Sequence, residues 1–245
     1  MKKKYLIPFC FGIILSLHSP TFADEILLDN EFSLEDFDKE YQEQNQQIND
    51  PLESYNRFMH DVNWAIYDYF YSPVVDVYTT ITPKGLRLGV YNFFDNLSSG
   101  LRFVANLLQF RPQAAADELG RFMLNTIFGF GGVLDIATPN GLYAHEADFG
   151  TVLGTWGVEG GFHFVLPLLG PSNLRDALMT PLNILAQPTT YLDSTSLAVS
   201  AYLLKNINYT ARHKNTLDTF RNDSLDSYIL MRNAYEQNRE SLIKE

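Results

Sequence analysis

The chain has 245 residues, with 29 acidic against 18 basic side chains, a formal net charge of −11 and a single cysteine, Cys10. A balance this acidic excludes nucleic acids and anionic surfaces as partners recognised through charge alone. One cysteine excludes an internal disulfide, so the fold has to rest on packing.

Residues 1–23 have the order of segments typical of an export signal. Three lysines at positions 2–4 precede an uncharged, largely apolar run over 5–17, and Thr21-Phe22-Ala23 supplies a small-residue cleavage site. The run is too short for a transmembrane anchor. We predict a cleavable signal peptide that takes Cys10 with it; the alternative is an N-terminal helix of the mature protein.

Residues 24–49 are dominated by Asp, Glu, Gln and Asn, and Lys39 is the only base. Segments this polar bury too little apolar surface to fold alone. We therefore predict an acidic, disordered arm. Docking of Phe32, Leu34 and Phe37 on a partner is the alternative.

A helical domain is predicted over residues 50–240, and a helix-start signal opens it. Asp50 suits the N-cap, Pro51 the first helical position, and Glu53 the reciprocal partner of the cap. Apolar residues then recur at steps of three and four, which predicts a first helix from Pro51 to Tyr69.

The remaining helical patterns predict an all-α fold. They run from Pro83 to Leu97, Gly100 to Phe110, Pro112 to Phe128, Pro171 to Ala186, Thr195 to Asn206, and Ser224 to Arg239. The prolines at positions 83, 112 and 171 are typical of a first helical turn. No stretch alternates with a period of two, so a sheet is not expected.

Three uncharged or nearly uncharged runs are long for a soluble protein: 122–134, 160–174 and 177–192. Each is broken by Gly or Pro, and none reaches the length of a membrane-spanning helix. Amphipathic helices lying in a membrane interface fit this pattern. A soluble helical bundle with these runs in its core is the alternative.

No arrangement of residues indicates a cofactor, a metal or an enzyme. The histidines at 60, 145, 163 and 213 lack metal-ligand spacing, and His145-Glu146-Ala147-Asp148 lacks the second histidine of a zinc-protease helix. General acid or base roles for Glu118, Asp135 or Asp148 stay open, for instance in a periplasmic hydrolase. Capping and ion pairing are the alternative uses of these carboxylates.

The order of several short motifs resembles the MlaA (VacJ) family over about Asp50 to Tyr235. The motifs are Asp50-Pro51-Leu52-Glu53 with Asn56-Arg57, Asn92 through Leu97, Asn106 through Gln109, Gly120-Arg121-Phe122 with Asn125-Thr126, Gly129 through Asp135, Asp148-Phe149-Gly150 with Leu153-Gly154 and Trp156-Gly157, Leu166 through Pro171, and Arg175-Asp176.

This resemblance implies a ring-like, membrane-embedded single domain with a central amphipathic channel. It implies that the protein lies in the outer membrane of Gram-negative bacteria and faces the periplasm. The implied function is to remove mislocalised phospholipid from the outer leaflet and to pass it to a periplasmic lipid carrier. A trimeric porin is the implied partner, and no cofactor is implied. A soluble helical lipid-binding or adaptor protein of the periplasm is the alternative.

Three groups of site residues follow as hypotheses. The first helix contributes Asn56, Val62 and Asn63 to the channel or its rim. A glycine-rich hairpin forms a gate, with hinges at Gly150, Gly154, Gly157, Gly160 and Gly161. Arg121 and Arg175 either form structural ion pairs or contact a phospholipid headgroup.

Two departures from the family pattern have consequences. Family members carry a lipid-modified cysteine just after the signal, whereas Cys10 lies inside the apolar run, so we predict attachment to the outer membrane without lipidation. Glu159 places a charge in the predicted gate.

Overall fold

In a computed structural model of the chain, the described residues are 48–222, 224 and 226–245. The predicted signal peptide, Cys10 and nearly all of the predicted acidic arm lie outside them. The described part contains eight α-helices, and its only β-structure is two isolated bridges, His163 with Asn173 and Leu166 with Gly170. The predicted all-α class is confirmed.

The eight helices are joined by short turns and two long irregular loops, 128–148 and 156–173. They are α1 (Glu53–Ile66), α2 (Ser72–Ile81), α3 (Lys84–Leu108), α4 (Pro112–Ile127), α5 (Phe149–Thr155), α6 (Leu174–Leu185), α7 (Thr195–Asn222) and α8 (Ser227–Lys244). A π-helical turn, Tyr67–Tyr71, joins α1 to α2. The 3₁₀ turns Thr138–Asn140 and Pro188–Tyr191 precede α5 and α7 respectively.

The predicted cap of the first helix is wrong. Leu52 occupies the N-cap position of α1 and makes no side-chain capping bond. The Asp50 carboxylate instead accepts hydrogen bonds from Asn56 Nδ2 at 2.8 Å, Arg232 Nη1 at 3.0 Å and the Tyr228 hydroxyl. Three tertiary donors therefore take the place of the local cap, and they fasten the start of α1 to α8.

The predicted starts and ends of the other helices are partly confirmed. α4 begins at Pro112 as predicted, whereas Pro83 is the N-cap of α3 and Pro171 precedes α6, which Asn173 caps. The patterns on either side of Gly100 belong to one helix, α3. α7 and α8 both extend beyond their predicted ends, to Asn222 and Lys244.

The described part of the chain buries more polar and charged side chains than apolar ones, whereas soluble proteins bury mainly apolar ones. Among the described residues, 24 polar or charged residues are buried against 15 apolar ones, while 34 large apolar side chains are exposed. Exposed apolar patches of more than a few hundred Å² are uncommon on soluble monomers and mark interaction or membrane surfaces. The interior is thus held together largely by hydrogen bonds and ion pairs.

The exposed apolar residues form stripes at helical spacing. They include Val74, Val77 and Ile81 on α2, Leu119, Phe122, Met123 and Ile127 on α4, and Leu178, Leu182 and Leu185 on α6. Phe110 and Phe130 are 83% and 81% exposed and have positive φ angles of 60° and 53°, a conformation that favours glycine. No helix of the described part combines the length and apolar character needed to cross a membrane.

Candidate functional site

A cavity of about 240 Å³ opens between α3, α6, α7 and α8 and the loops that join them. Its lining is mixed. The apolar part includes Phe94, Leu101, Leu166, Leu169, Ile184 and Leu242, and the charged part comprises Asp95, Arg102, Glu146, Asp148, Asp176, Lys205 and Arg239. Such a lining can contact both the charged and the hydrocarbon parts of an amphipathic molecule.

One wall of the cavity is a charge cluster around Arg102, whose side chain is only 4% exposed. Its Nε lies 2.9 Å from Glu118, and its Nη1 lies 2.8 Å from Asp95 and 3.3 Å from Glu146. Arg121 adds ion pairs to Asp95 at 3.3 Å and Asp135 at 3.7 Å. Burial by itself raises the pKa of Asp95, but the two arginines lower it below its ordinary value.

A second set of ion pairs fastens α8 to the helices on the other side of the cavity. Arg239 donates to both carboxylate oxygens of Asp148, at 2.9 Å and 2.8 Å, and its Nε lies 2.8 Å from Asp176. Asp176 also accepts from Arg175 Nε at 2.9 Å and from the Tyr235 hydroxyl at 2.7 Å. Asp148, Arg175, Asp176 and Arg239 are therefore engaged with one another.

Two further ionisable groups reach the cavity. Burial lowers the pKa of Lys205 to about 8, and burial raises the pKa of Glu146 to about 7. The Lys205 ammonium donates to Ser98 Oγ at 3.3 Å. Both groups therefore lie where their charges are poorly solvated.

Two of the residues predicted for the channel or its rim, Asn56 and Asn63, hold a neighbouring loop by hydrogen bonds. Asn56 is fully buried: its amide nitrogen donates to the His163 carbonyl at 3.1 Å, and its oxygen accepts from Val165 N at 2.8 Å. Asn63 similarly donates to the Leu166 carbonyl and accepts from Leu168 N.

These bonds hold the 163–168 loop, which in turn contributes Leu166 to the cavity wall. Asn56, Val62 and Asn63 do not line this cavity, whereas Asn63 does line a smaller cavity together with His60 and His163. A place for these residues at the rim of a passage stays a prediction.

Two of the predicted hinge glycines are packing positions inside a helix. Gly150 and Gly154 belong to α5, which begins there because Asp148 and Thr151 form a reciprocal capping box. A Cβ on Gly154 would lie 2.7 Å from Ile243 Cγ1 and 2.8 Å from Arg175 Nη1. This part of the predicted gate is therefore helical, and its role as a hinge stays a prediction.

The other three glycines lie beyond α5. Gly157 and Gly161 have φ angles of 90° and 78°, where glycine is favoured, and Gly160 packs so closely on Asn173 that a Cβ would lie 2.9 Å from its Nδ2. Glu159 is exposed between them. Gating by this shorter segment stays a prediction.

Arg121 and Arg175 are 3% and 6% exposed. Besides its ion pairs, Arg121 Nη1 donates to the Leu142 carbonyl at 2.6 Å, and Arg175 Nη1 donates to the Val158 carbonyl at 3.1 Å. Both arginines therefore form structural ion pairs, the first of the two roles predicted for them. Headgroup contact by either one stays a prediction.

The carboxylates weighed as acids or bases are used within the fold. Glu118 is fully buried and accepts from His145 N at 2.6 Å as well as from Arg102. Asp135 accepts from Asn125 Nδ2 at 3.2 Å and from Thr138 N at 3.1 Å. Asp148 both caps α5 and pairs with Arg239.

Sequence reasoning missed Asp95, Arg102, Glu146, Lys205 and Arg239. One signal could have found part of the site. Along α3 and at its C-cap, polar residues recur at steps of three and four: Tyr91, Asp95, Ser98, Arg102, Asn106 and Gln109. An amphipathic pattern alone does not say which face of a helix is buried.

The pH dependence of stability should reflect two buried groups with opposite effects. Burial lowers the pKa of His60 from 6.5 to about 4, so its contribution is complete above pH 6.5 and is lost as the pH falls toward 4. Burial raises the pKa of Glu146 from 4.5 to about 7, so its contribution is complete below pH 4.5 and is lost as the pH rises through 7.

Replacing Glu146 should make the loss of stability caused by protonation of His60 measurable. We expect the Glu146→Gln variant to lose about 2–3 kcal/mol of stability between pH 7 and pH 4.5. The wild-type protein should change much less, because the gain at Glu146 offsets the loss at His60. Urea unfolding at several pH values measures both, and parallel profiles for the two proteins would contradict this assignment.

A charged interior with a cavity, surrounded by an apolar exterior, defines a class: helical proteins whose outer surface is suited to lipid and whose ionisable groups face inward. Within this class, the sequence identifies the family. The chain belongs to the MlaA lipoprotein family, whose sequence model matches residues 48–242.

Relatives and a solved structure agree with this membership. The intermembrane phospholipid transport system lipoprotein MlaA of Shigella flexneri is 33% identical over 199 residues, which cover 77% of this chain and 76% of the relative. The protein of the same name from Haemophilus influenzae is 29% identical over 196 residues, covering 78% and 77%.

A solved structure from work on the maintenance of bacterial outer membrane lipid asymmetry has a TM-score of 0.70 at 31% identity. It covers 79% of this chain and 98% of that chain. The resemblance noted from the motifs is confirmed. The word lipoprotein in the family description disagrees with the prediction that Cys10 carries no lipid.

Proposed function

We propose that this chain acts in intermembrane phospholipid transport and maintains lipid asymmetry from a place in the outer membrane. It takes mislocalised phospholipid from the outer leaflet through its cavity and passes it to a periplasmic carrier. The names of the Shigella and Haemophilus relatives and the subject of the matching solved structure support this role.

The observation that carries the proposal is the distribution of polarity. Buried arginines, carboxylates and amides hold the inside together, while Val, Leu, Ile and Phe cover the helices outside. In water this surface would promote aggregation. In a bilayer it would be solvated by acyl chains, which favours a membrane-seated protein over the soluble lipid-binding or adaptor alternative.

The cavity then serves as the passage. Its charged residues would contact a headgroup, while its apolar residues would contact the start of the acyl chains. The exterior stripes leave apolar surface for a trimeric porin as well as for lipid. Because no helix of the described part is built to cross a membrane, we propose that the helices lie within one leaflet.

A charged label attached inside the cavity tests whether phospholipid passes through it. A Ser98→Cys variant can be labelled with a negatively charged thiol reagent, since the only native cysteine, Cys10, lies in the predicted signal. We expect the label to raise surface-exposed phospholipid, whereas the same label on Ser196→Cys, at the exposed start of α7, should not. Normal lipid clearance by the labelled Ser98→Cys protein would contradict the proposal.

A further inference from the structure

The charge cluster in the cavity wall is unbalanced. Among the described residues, two guanidinium groups, Arg102 and Arg121, are the cations within ion-pair distance of four carboxylates: Asp95, Glu118, Asp135 and Glu146. Of the two that line the cavity, Asp95 and Glu146, Glu146 has the weaker ion pair, because its 3.3 Å contact is with the same Arg102 Nη1 that lies 2.8 Å from Asp95. One carboxylate that lines the cavity is therefore left incompletely paired.

Lys205, from α7, provides an incompletely paired cation in the same cavity. Within the described part of the chain, its ammonium lies within 4.0 Å of no carboxylate, and its hydrogen bond is to Ser98 Oγ at 3.3 Å. The Ser98 hydroxyl donates to the Phe94 carbonyl at 3.0 Å and so can only accept from Lys205. The ammonium thus keeps N–H donors available.

A second donor lies one turn away on the same helix. Tyr202 also lines the cavity, and its buried hydroxyl, which lies near the Asn206 side chain, makes no hydrogen bond of good geometry within the described part of the chain. Residues three apart share a helix face, so Tyr202 and Lys205 are neighbours. A buried donor without a partner is costly in a finished fold, and an anionic ligand would satisfy it.

We propose that Lys205 and Glu146 form a headgroup site for phospholipids that carry a primary amine. The lipid phosphate accepts from the Lys205 ammonium and the Tyr202 hydroxyl, and the headgroup ammonium donates to the Glu146 carboxylate. An anionic headgroup without an amine would leave Glu146 incompletely paired and add negative charge beside the excess of carboxylates. This inference rests on the proposed function and adds the class of lipid preferred.

Lipid retention by the purified full-length protein tests the site. The protein in detergent is given equal amounts of phosphatidylethanolamine and phosphatidylglycerol, and the lipids that remain after washing are quantified. We expect phosphatidylethanolamine to be retained in about tenfold excess, the size of effect given by one charge-assisted hydrogen bond.

Variants separate the two ends of the headgroup. Glu146→Gln should remove the preference by lowering retention of phosphatidylethanolamine without lowering that of phosphatidylglycerol, whereas Lys205→Met should lower retention of both. Lys205→Arg, which keeps the charge, should retain binding. The matched controls are Lys214→Met, a lysine of α7 that pairs with Asp218 outside the cavity, and Glu240→Gln on the exposed face of α8.

The outcomes are distinct. Equal retention of the two lipids by the wild-type protein, or an unchanged preference in a folded Glu146→Gln variant, would overturn the headgroup site while leaving the transport proposal intact. Retention of neither lipid would count against both. A preference that disappears in Glu146→Gln and persists in Glu240→Gln supports the assignment.

Discussion

Replacing Arg102 by methionine should lower the free energy of unfolding by about 3–5 kcal/mol, the largest effect expected for a single side chain in this protein. Arg102 is the one cation bonded to the fully buried Glu118, and it also pairs with Asp95 and Glu146. Methionine would fill much of the volume, but it would leave Glu118 and Glu146 without their arginine and Asp95 with Arg121 alone in a poorly solvated interior.

Thermal unfolding of the purified protein in detergent, followed by circular dichroism, measures this effect. A loss of that size should lower the Tm by about 6 °C or more in a domain of this length. The control is Lys244→Met, because Lys244 and its partner Glu240 are 72% and 65% exposed and such pairs contribute at most about 1 kcal/mol. Equal Tm values for the two variants would show that the charge cluster does not stabilise the fold.

Replacing Gly150 by alanine should destabilise the protein by about 1–3 kcal/mol, the usual cost of overpacking. A Cβ at Gly150 would overlap the Asp176 carboxylate and lie 2.6 Å from Arg239 Nη2, so it would push apart the ion pairs that fasten α8 to α5 and α6. Close packing against Asp176 and Arg239 is therefore a sufficient reason for glycine here.

Gly100→Ala is the matched control and should have the opposite sign. Gly100 lies within α3, and a Cβ added there would meet no neighbouring side chain or loop within 4 Å, so alanine should stabilise the helix by about 0.5–1 kcal/mol. Denaturant unfolding of both variants decides between packing and hinging. If Gly150→Ala left stability unchanged and slowed only lipid clearance, the hinge hypothesis would be supported instead.

Sequence signals predict the helices well where they act locally. Pro112 begins α4 because its fixed φ and missing N–H suit a first turn. Asp50 is mistaken for a cap because nothing local reveals the three donors that reach it from α1 and α8. The pattern divides α3 at Gly100, although a glycine in an open position is tolerated inside a long helix.

Local sequence patterns predict neither the end of α7 nor the residues that meet in the site, because both depend on which surfaces the tertiary structure buries. An amphipathic helix of a soluble protein buries its apolar face. The residues that α7 buries are instead polar: Asn206, Asn208, Thr210 and His213. The pairing of Arg102 with Glu118 and the meeting of Glu146 and Lys205 in one cavity depend on tertiary structure.

Surface-exposed phospholipid in the native bacterium is the most direct test of the transport role. Deleting the gene should raise the amount of phospholipid in the outer leaflet, and the wild-type gene should restore the original level. The cavity-blocked Ser98→Cys protein should be present in the membrane but fail to restore it. An outer leaflet that is unchanged by the deletion would contradict the account.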